Sequence, residues 1–240
     1  MQKPKRNIPS IMKLKVADLD ERTKLPSGPD AKANGSSGSV REELHLYRRE
    51  RILGVAAELF SQKGYNGASV SELAKMIGVT KPFIYYYMKN KQEILEQICI
   101  ATIDLPHVVM DEVFSEDLSP TDSLYKFVRR FAWVQSTNQN YVSVFFREEL
   151  NLSPDVRHYV TERRKEFDER LGALLRKGVE TGDFRIADVP VTVLAIAGMV
   201  CWIFTWYRPE GRLTLEEVSQ LFADLTLNMV DARRRPDQSV

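Results

Sequence analysis

The chain has 240 residues and a mass of 27.6 kDa, enough for one large domain or two small ones with a sizeable core. Hydrophobic residues make up 43% and charged residues 28%, ordinary globular values that exclude a wholly disordered or fibrous protein. The 2 cysteines have no CxxC or metal-ligand spacing, and the N-terminus lacks an apolar signal core. The sequence therefore predicts a cytoplasmic protein in a reducing compartment, without a metal or other cofactor.

Charge is distributed unevenly along the chain. Residues 1–40 hold eight Lys/Arg and four Asp/Glu, and residues 41–95 hold nine and six. The other 145 residues hold 17 basic and 23 acidic side chains. A basic front and an acidic remainder predict that the N-terminal part of the chain meets a polyanion such as DNA.

Residues 1–40 form the first predicted segment, a flexible basic N-terminal arm. They are rich in Lys, Pro, Asp, Gly and Ser and show no helical periodicity. The first predicted helix follows, since Ile52, Val55, Ala56, Leu59 and Phe60 recur at the spacing of one helix face. The pair Lys63-Gly64 indicates its C-terminal end, with glycine as a left-handed cap.

Two short helices are predicted next. Ser69 and Glu72 match a capping box that begins one of them, and Gly78 ends it. Thr80 begins the other, with Pro82 tolerated in its first turn. Asn90 then caps a longer helix. A helix, a tight glycine turn and a short second helix are typical of a helix-turn-helix.

The remainder of the chain carries helical periodicity and no strand signal, which predicts an all-α fold. Further helices are expected near 104–116 after a break at Pro106, and near 120–138, 140–150, 155–181, 188–207 and 214–234. The stretch Val189–Tyr207 is apolar, but it holds Pro190 and Gly198. We expect it to be a buried helix and expect no contact with a membrane; a membrane-spanning segment is the alternative.

The motifs from Arg48 to Ile98 identify a family. AAELFSQKGYNGASV, LAKMIGVTK and IYYYMKNKQEIL follow one another in this stretch. In order and spacing they resemble the DNA-binding domain of the TetR family of transcriptional regulators. The resemblance implies a three-helix DNA-binding domain at residues 41–95. It also implies a larger helical domain at residues 96–240 that binds an effector and forms a homodimer.

The resemblance also implies which side chains contact a double-stranded DNA operator. The positions that usually approach base edges are occupied by Lys81, Pro82 and Tyr86. The positions that usually contact phosphates are occupied by Ser69, Thr80, Tyr85, Tyr87 and Lys91. Tyr87 and Met88 stand where histidine and phenylalanine are common, and Phe83 stands where a small or hydroxylated residue is common.

The three consecutive tyrosines have a physical reading of their own. Successive helix residues are turned by about 100°, so the three rings span about 200° and cannot all enter a small core. At least one ring must face solvent or a ligand, and a phenol offers both a flat apolar face and a hydroxyl for DNA. Packing of the rings inside the domain is the alternative.

The later helices are dense in aromatic residues and arginines. We expect an effector pocket lined by Phe127, Phe131, Phe145, Trp202 and Trp206, with Arg147 and Arg164 near a charged group of the ligand. A bundle core or dimer interface is the alternative for the aromatic residues, and a solvated ion-pair face is the alternative for the arginines. The segments FFREEL, RRKEFDERL and FTWYRPEGRLTLEEV resemble a TetR branch whose members often respond to coenzyme A thioesters.

These features predict a ligand-responsive repressor that a small hydrophobic effector, an acyl-CoA, releases from DNA. A sensor of lipophilic cations is the alternative within the class, and an architectural DNA-binding protein without an effector is the alternative from another class. An enzyme is not expected, because the 3 histidines are widely spaced and there is no HExxH motif or phosphate-binding glycine loop. Dimerisation is expected through apolar stripes of the last two helices, namely Val193, Leu194, Ala197, Val200, Leu221, Leu225 and Met229.

Overall fold

The computed structural model describes residues 37–232, and this part of the chain holds helices and loops without a strand. The predicted all-α class with an N-terminal helix-turn-helix is thereby confirmed. The helices are α1 (Ser37–Gly67), α2 (Val70–Ile77), α3 (Lys81–Tyr87), α4 (Lys91–Phe114), α5 (Pro120–Thr137), α6 (Gln139–Glu148), α7 (Pro154–Glu180), α8 (Val189–Cys201), α9 (Ile203–Trp206) and α10 (Leu215–Met229). A 3-10 turn covers Glu149–Asn151. Residues 1–36 of the predicted arm lie outside the described residues, whereas residues 37–40 belong to α1.

The described residues divide into two compact units. The first unit comprises the described chain up to Thr102 together with Asn138–Arg157, and the second comprises Ile103–Thr137 and the described chain from His158 onward. Helix α4 therefore begins in the first unit and ends in the second, and so does α7.

The first unit is built on the apolar face of α1. Ile52, Ala56, Leu59 and Phe60 are buried there, as the helical spacing predicts. Gly64 interrupts the helix with φ 74° and ψ 159°, so it has the positive φ expected of it but not the left-handed helical ψ of a standard cap. Helix α6 packs along α1 in this unit, and α2 and α3 pack on it beside each other.

Local capping interactions determine where α2 and α4 begin and where α2 ends. The Ser69 hydroxyl accepts a hydrogen bond from the backbone N–H of Glu72, and the Glu72 carboxylate accepts from the backbone N–H of Ser69, so the capping box is confirmed. Gly78 ends α2 in the left-handed region at φ 79°. Thr80 occupies the N-cap of α3 without a side-chain capping bond. Asn90 caps α4 through the backbone N–H of Glu93.

The predicted break at Pro106 is wrong. Helix α4 continues through this proline to Phe114, although proline removes a backbone donor and usually ends a helix. The flanking residues Leu105 and Val109 are fully buried, and polar side chains on both sides of the proline bond to α7. Tertiary packing thus outweighs the local preference of the proline.

Helix α5 lies at the centre of the second unit and packs mainly against α10, with α8 and α9 as further neighbours. Its buried face includes Phe127, Phe131 and Val134. At the edge of this face Arg129 donates a hydrogen bond of 2.5 Å to Glu216 of α10. Two of the aromatic residues that the sequence predicts for a ligand pocket, Phe127 and Phe131, therefore lie on the central helix of this unit.

The expectation that Val189–Tyr207 forms one buried helix is also wrong. Helix α8 ends at Cys201, and the short helix α9 follows after Trp202. Among the described helices, Val189–Trp206 is long and apolar enough to cross a membrane by length and composition, yet only 22% of it is buried inside the chain. Leu194 is 62% exposed and Trp202 is 59% exposed. These exposed side chains form an apolar surface that the rest of the described chain does not cover.

Candidate DNA-binding and effector sites

The three tyrosines of α3 face different environments. Tyr86 is 75% exposed and Tyr85 is 43% exposed, whereas Tyr87 is only 5% exposed. Two rings are therefore available to a ligand, while the third packs inside the unit. The expectation that the three rings could not share one core is confirmed by this division.

The other residues that the resemblance placed at DNA lie around the start of α3 and before α2. Lys81 and Pro82 form the exposed first turn of α3. The Lys81 ammonium lies 5.8 Å from the centre of the Tyr85 ring, a cation–π distance. Thr80 and Ser69 are exposed, and the Ser69 hydroxyl is held by the capping box. The structure thus brings Thr80, Lys81, Pro82, Tyr85 and Tyr86 together at one helix.

Lys91 lies in the first turn of α4. Its ammonium is 4.3 Å from the centre of the Tyr65 ring, and Tyr65 in turn donates a hydrogen bond to Gln92. Partial burial lowers the pKa of Lys91 below the ordinary lysine value. A lysine at a helix N-terminus adds its charge to the exposed N–H groups there, which favours an anion such as phosphate.

Tyr87 makes a contact that the sequence did not reveal. Its hydroxyl oxygen accepts a hydrogen bond of 2.9 Å from Nη1 of Arg48. Its backbone carbonyl accepts one of 2.7 Å from Nη1 of Arg49, which also lies 3.8 Å from Glu93. Two consecutive arginines of α1 therefore bind the last residue of α3. The run of arginines in the sequence shows their charge, but not which helix they contact.

A cluster of aromatic rings fills the interior of the second unit. Phe127 and Phe131 stack with ring centres 5.5 Å apart and an angle of 20° between their planes. Phe167 of α7 lies 6.2 and 5.8 Å from these two rings, and Phe114 of α4 lies 5.5 Å from Phe127. The sequence pattern named Phe127 and Phe131 but missed Phe167, which is the ring that joins them to α7.

A buried polar cluster adjoins these rings. Asp104 accepts a hydrogen bond of 2.7 Å from Nε of Arg163. The Tyr159 hydroxyl also donates to this carboxylate and lies 2.8 and 2.9 Å from its two oxygens. Arg163 also donates to Glu166. Nε2 of His107 lies 3.0 Å from the backbone carbonyl of Arg163, so this nitrogen carries the hydrogen. Because Asp104 and His107 lie on α4 and their partners on α7, the cluster ties these two helices together.

The environment of His107 keeps its imidazole neutral. Burial, reinforced by the charge of Arg163, lowers the pKa of His107 to about 4 from 6.5. Its ring lies 6.4 Å from that of Phe167, and within the described chain its Nδ1 has no hydrogen-bond partner. A neutral histidine with an unused acceptor thus stands where the aromatic and polar clusters meet.

This low pKa predicts a loss of stability in weak acid. The unfolded chain takes up a proton at His107 near pH 6.5, whereas the folded chain resists it until about pH 4. The free energy of unfolding is therefore expected to fall by about 3 kcal/mol as the pH decreases through this window. Urea unfolding at a series of pH values measures this loss. His107→Gln is expected to lose much less stability across the window. The exposed control His158→Gln is expected to behave like the wild type, and equal slopes for all three proteins would contradict the assignment.

The remaining predicted effector residues are not gathered at this cluster. Arg147 is exposed and donates a hydrogen bond of 2.8 Å to the backbone carbonyl of Ser61 in the first unit, where Phe145 is buried. Arg164 is exposed on α7, next in sequence to the buried Arg163. Trp202 and Trp206 are both about half exposed, and the ring of Trp206 packs against Phe222.

Helices α8 and α10 carry the exposed apolar surface of the second unit. Leu194, Leu221, Leu225 and Met229, which the sequence placed in a dimer interface, are exposed together with Val191. Val193 and Val200, predicted for the same interface, are instead buried within their own unit, and Ala197 is half-buried. The last two long helices therefore divide their apolar residues between an inner face and an outer one.

Two family models match the chain. Residues 52–98 match the model described as bacterial regulatory proteins, tetR family. Residues 117–230 match the model described as tetracyclin repressor-like, C-terminal domain. The matches cover the helix-turn-helix and most of the second unit.

Similar proteins agree with these matches. The TetR family transcriptional regulator PfmR from Thermus thermophilus is 31% identical at a TM-score of 0.68, over 77% of this chain and 100% of PfmR. AibR, solved in complex with isovaleryl coenzyme A and operator DNA, is 26% identical at a TM-score of 0.66, over 78% of this chain and 100% of AibR. The transcriptional repressor KstR2 from Rhodococcus jostii is 24% identical over 184 residues, which are 75% of this chain and 90% of KstR2. These proteins are regulators and not enzymes, and the chain belongs to the TetR family of transcriptional regulators.

Proposed function

We propose that the protein is a cytoplasmic repressor that binds a palindromic DNA operator as a homodimer and leaves it when a hydrophobic effector binds. The observation that carries this proposal is the short helix α3, whose first turn and Tyr86 are exposed while the rest of the first unit supports it. An exposed helix with a lysine, a proline and a tyrosine at its outer edge has the dimensions and the polar groups to enter the major groove.

The proposed DNA contacts divide into two sets. Lys81, Pro82 and Tyr86 approach base edges, since they lie on the exposed side of α3. Ser69, Thr80, Tyr85 and Lys91 contact phosphates, where their hydroxyls and the lysine charge act without regard to sequence. Tyr87 differs from these residues, because its hydroxyl already accepts a hydrogen bond from Arg48.

Lys91→Ala is expected to weaken binding to all DNA sequences alike. Loss of one phosphate contact reduces the slope of log affinity against log salt by about 0.9. The measurement is a salt titration of binding to the operator and to an unrelated duplex. A change in sequence preference with an unaltered salt slope would remove Lys91 from the phosphate contacts.

The proposed dimer uses the outer apolar face of α8 and α10. Large apolar side chains exposed side by side in water indicate a protein interface. In a two-fold dimer the same face of each copy contacts its partner, so α8 and α10 of each subunit are enough to form the interface. A dimer places two helix-turn-helix domains on half-sites about 34–36 Å apart along the DNA.

The proposed effector is an acyl-CoA. Phe127, Phe131 and Phe167 offer an aromatic site for an acyl chain, and the likeness to AibR supports a thioester of this type. Ligand contacts from Phe145, Arg147, Arg164, Trp202 and Trp206 stay predictions. Lipophilic cations are the rival effectors, because Asp104 and Glu166 bring carboxylates next to the same rings.

Helix α4 provides the proposed connection between effector and DNA. It begins at Lys91, four residues after α3 ends, and its middle carries Asp104 and His107, which bond to α7. A ligand that moves the equilibrium from 1:99 to 99:1 must favour the released state by about 5.5 kcal/mol. An acyl chain buried among phenylalanine rings supplies energy of this order across two subunits.

The test is a titration of the protein–operator complex with candidate effectors. Fluorescence anisotropy of the labelled DNA measures its release from the protein. The panel contains isovaleryl-CoA, long-chain, aromatic and steroid-like acyl-CoA thioesters, the free acids, and lipophilic cations. Release by thioesters, reduced in Phe131→Ala, is the expected result. Release by cations alone would replace the acyl-CoA proposal with its rival, and sequence-independent binding that no compound alters would favour an architectural protein.

A further inference from the structure

The hydroxyl of Tyr87, the last residue of α3, is held by a hydrogen bond from the exposed Arg48. The ring is buried against Phe83 and Tyr86, with centre distances of 5.0 and 4.9 Å. Its hydroxyl oxygen accepts a hydrogen bond from Nη1 of Arg48, 2.9 Å away. Tyr87 is therefore a rigid support with a polar end, and it lies directly beside the most exposed tyrosine of α3.

The guanidinium of Arg48 is held in place by this support. Besides the bond to Tyr87, its Cζ lies 5.9 Å from the centre of the Phe83 ring. The side chain as a whole is exposed. A guanidinium has five N–H donors, so several stay available after one is given to Tyr87. A tyrosine oxygen that accepts a hydrogen bond also keeps its own O–H proton to donate.

The surroundings place these donors next to the DNA-facing surface. His45 lies one helix turn before Arg48 on α1, and its ring is 6.3 Å from Tyr86 and 4.8 Å from Tyr87. This turn of α1 therefore flanks the exposed tyrosine that we assign to base edges. A fixed guanidinium and a phenol O–H at such a place suit an anion with two or more oxygen acceptors.

We propose that Arg48 and Tyr87 jointly bind one phosphate of the DNA backbone beside α3. The proposal rests on the proposed function and adds to it a contact from α1, with Tyr87 acting together with the arginine rather than alone. Arginine binds phosphate oxygens through two parallel N–H groups, and fixing its side chain in advance reduces the entropy lost on binding.

The first test is a salt titration with a mixed-sequence duplex of about 40 base pairs, to which phosphate contacts contribute whatever the operator is. Arg48→Gln is expected to bind about tenfold more weakly at low salt and to reduce the salt slope by about 0.9. Arg48→Lys keeps the charge and is expected to keep the slope while losing affinity, because lysine lacks the planar fork. Arg185→Gln, an exposed arginine of the second unit, controls for the change in net charge.

The second test is a double-mutant cycle. Tyr87→Phe preserves the buried ring and removes only the hydroxyl, so thermal unfolding of this variant is expected to stay close to that of the wild type. Its several-fold loss of DNA affinity is expected to disappear in the Arg48→Gln background, because the two groups hold the same phosphate. If the losses of DNA affinity caused by Tyr87→Phe and Arg48→Gln add in full, this proposal is overturned. It is also overturned if Arg48→Gln binds DNA as Arg185→Gln does. Neither result would contradict the proposed DNA-binding function. A wild-type protein that fails to bind the duplex would overturn the proposed function as well.

Discussion

Asp104→Ala is expected to lower the free energy of unfolding by about 3–5 kcal/mol, a large part of the stability of an ordinary domain. Asp104 is buried and accepts hydrogen bonds from both Arg163 and Tyr159. Its removal leaves the buried guanidinium of Arg163 without its only buried counter-charge among the described residues, because Glu166, the other carboxylate it contacts, is 44% exposed. The cost arises there. Urea unfolding at constant protein concentration measures the change.

An exposed ion pair on the same helix provides the control. Lys165 and Glu162 lie 2.8 Å apart with both side chains more than half exposed, so Glu162→Ala is expected to change the free energy of unfolding far less than Asp104→Ala does. Replacing both buried partners by apolar residues, as in Asp104→Leu with Arg163→Met, is expected to recover most of the loss. Equal effects of Asp104→Ala and Glu162→Ala would show that the buried pair does not hold α4 to α7.

Leu194→Glu combined with Leu225→Glu is expected to convert the proposed dimer into a folded monomer. Both leucines are more than half exposed on the outer face of α8 and α10, so the charges do not disturb the core of the subunit. In the proposed dimer the four introduced carboxylates, two from each subunit, would lie unpaired in the interface, which is strongly unfavourable. A monomer carries one helix-turn-helix domain instead of two, so operator binding is expected to weaken by at least about 100-fold.

Light scattering at micromolar concentration measures the oligomeric state, and DNA titration measures the affinity. Leu150→Glu is the matched control, because Leu150 is even more exposed but lies on the 3-10 turn of the first unit. It is expected to stay dimeric and to bind DNA normally. A dimer that survives both substitutions on α8 and α10 would place the interface elsewhere.

Local signals in the sequence were sufficient for the helix-turn-helix. The capping box at Ser69, the turn glycine Gly78 and the cap at Asn90 each depend on side chains within three residues of the helix end. Because these contacts join residues that are close in sequence, the position of α2 and the start of α4 could be predicted. The same reasoning showed that three consecutive tyrosines could not share one core.

Contacts between distant helices were not accessible in this way. The local effect of Pro106 predicts a break, but the buried residues around it, which keep the helix continuous, are fixed only by the fold. Arg147 and Arg164 stay predictions for the charged group of the ligand, whereas the burial of Arg163 beside the aromatic cluster depends on the fold and could not be read from the sequence. The apolar stretch from Val189 onward shows a further limit, since hydrophobicity does not tell a core from a surface that another subunit covers.

DNase I footprinting on the DNA flanking the gene, with and without acyl-CoA thioesters, tests the central claim most directly. Binding of a symmetric dimer through its two helix-turn-helix domains predicts protection of a short palindrome. Its half-sites are expected to lie about one helical turn or slightly more apart. It also predicts that an effective thioester abolishes this protection at concentrations that leave the dimer intact. Even protection without a preferred sequence, unaffected by any thioester or lipophilic cation, would contradict the account of an effector-controlled repressor.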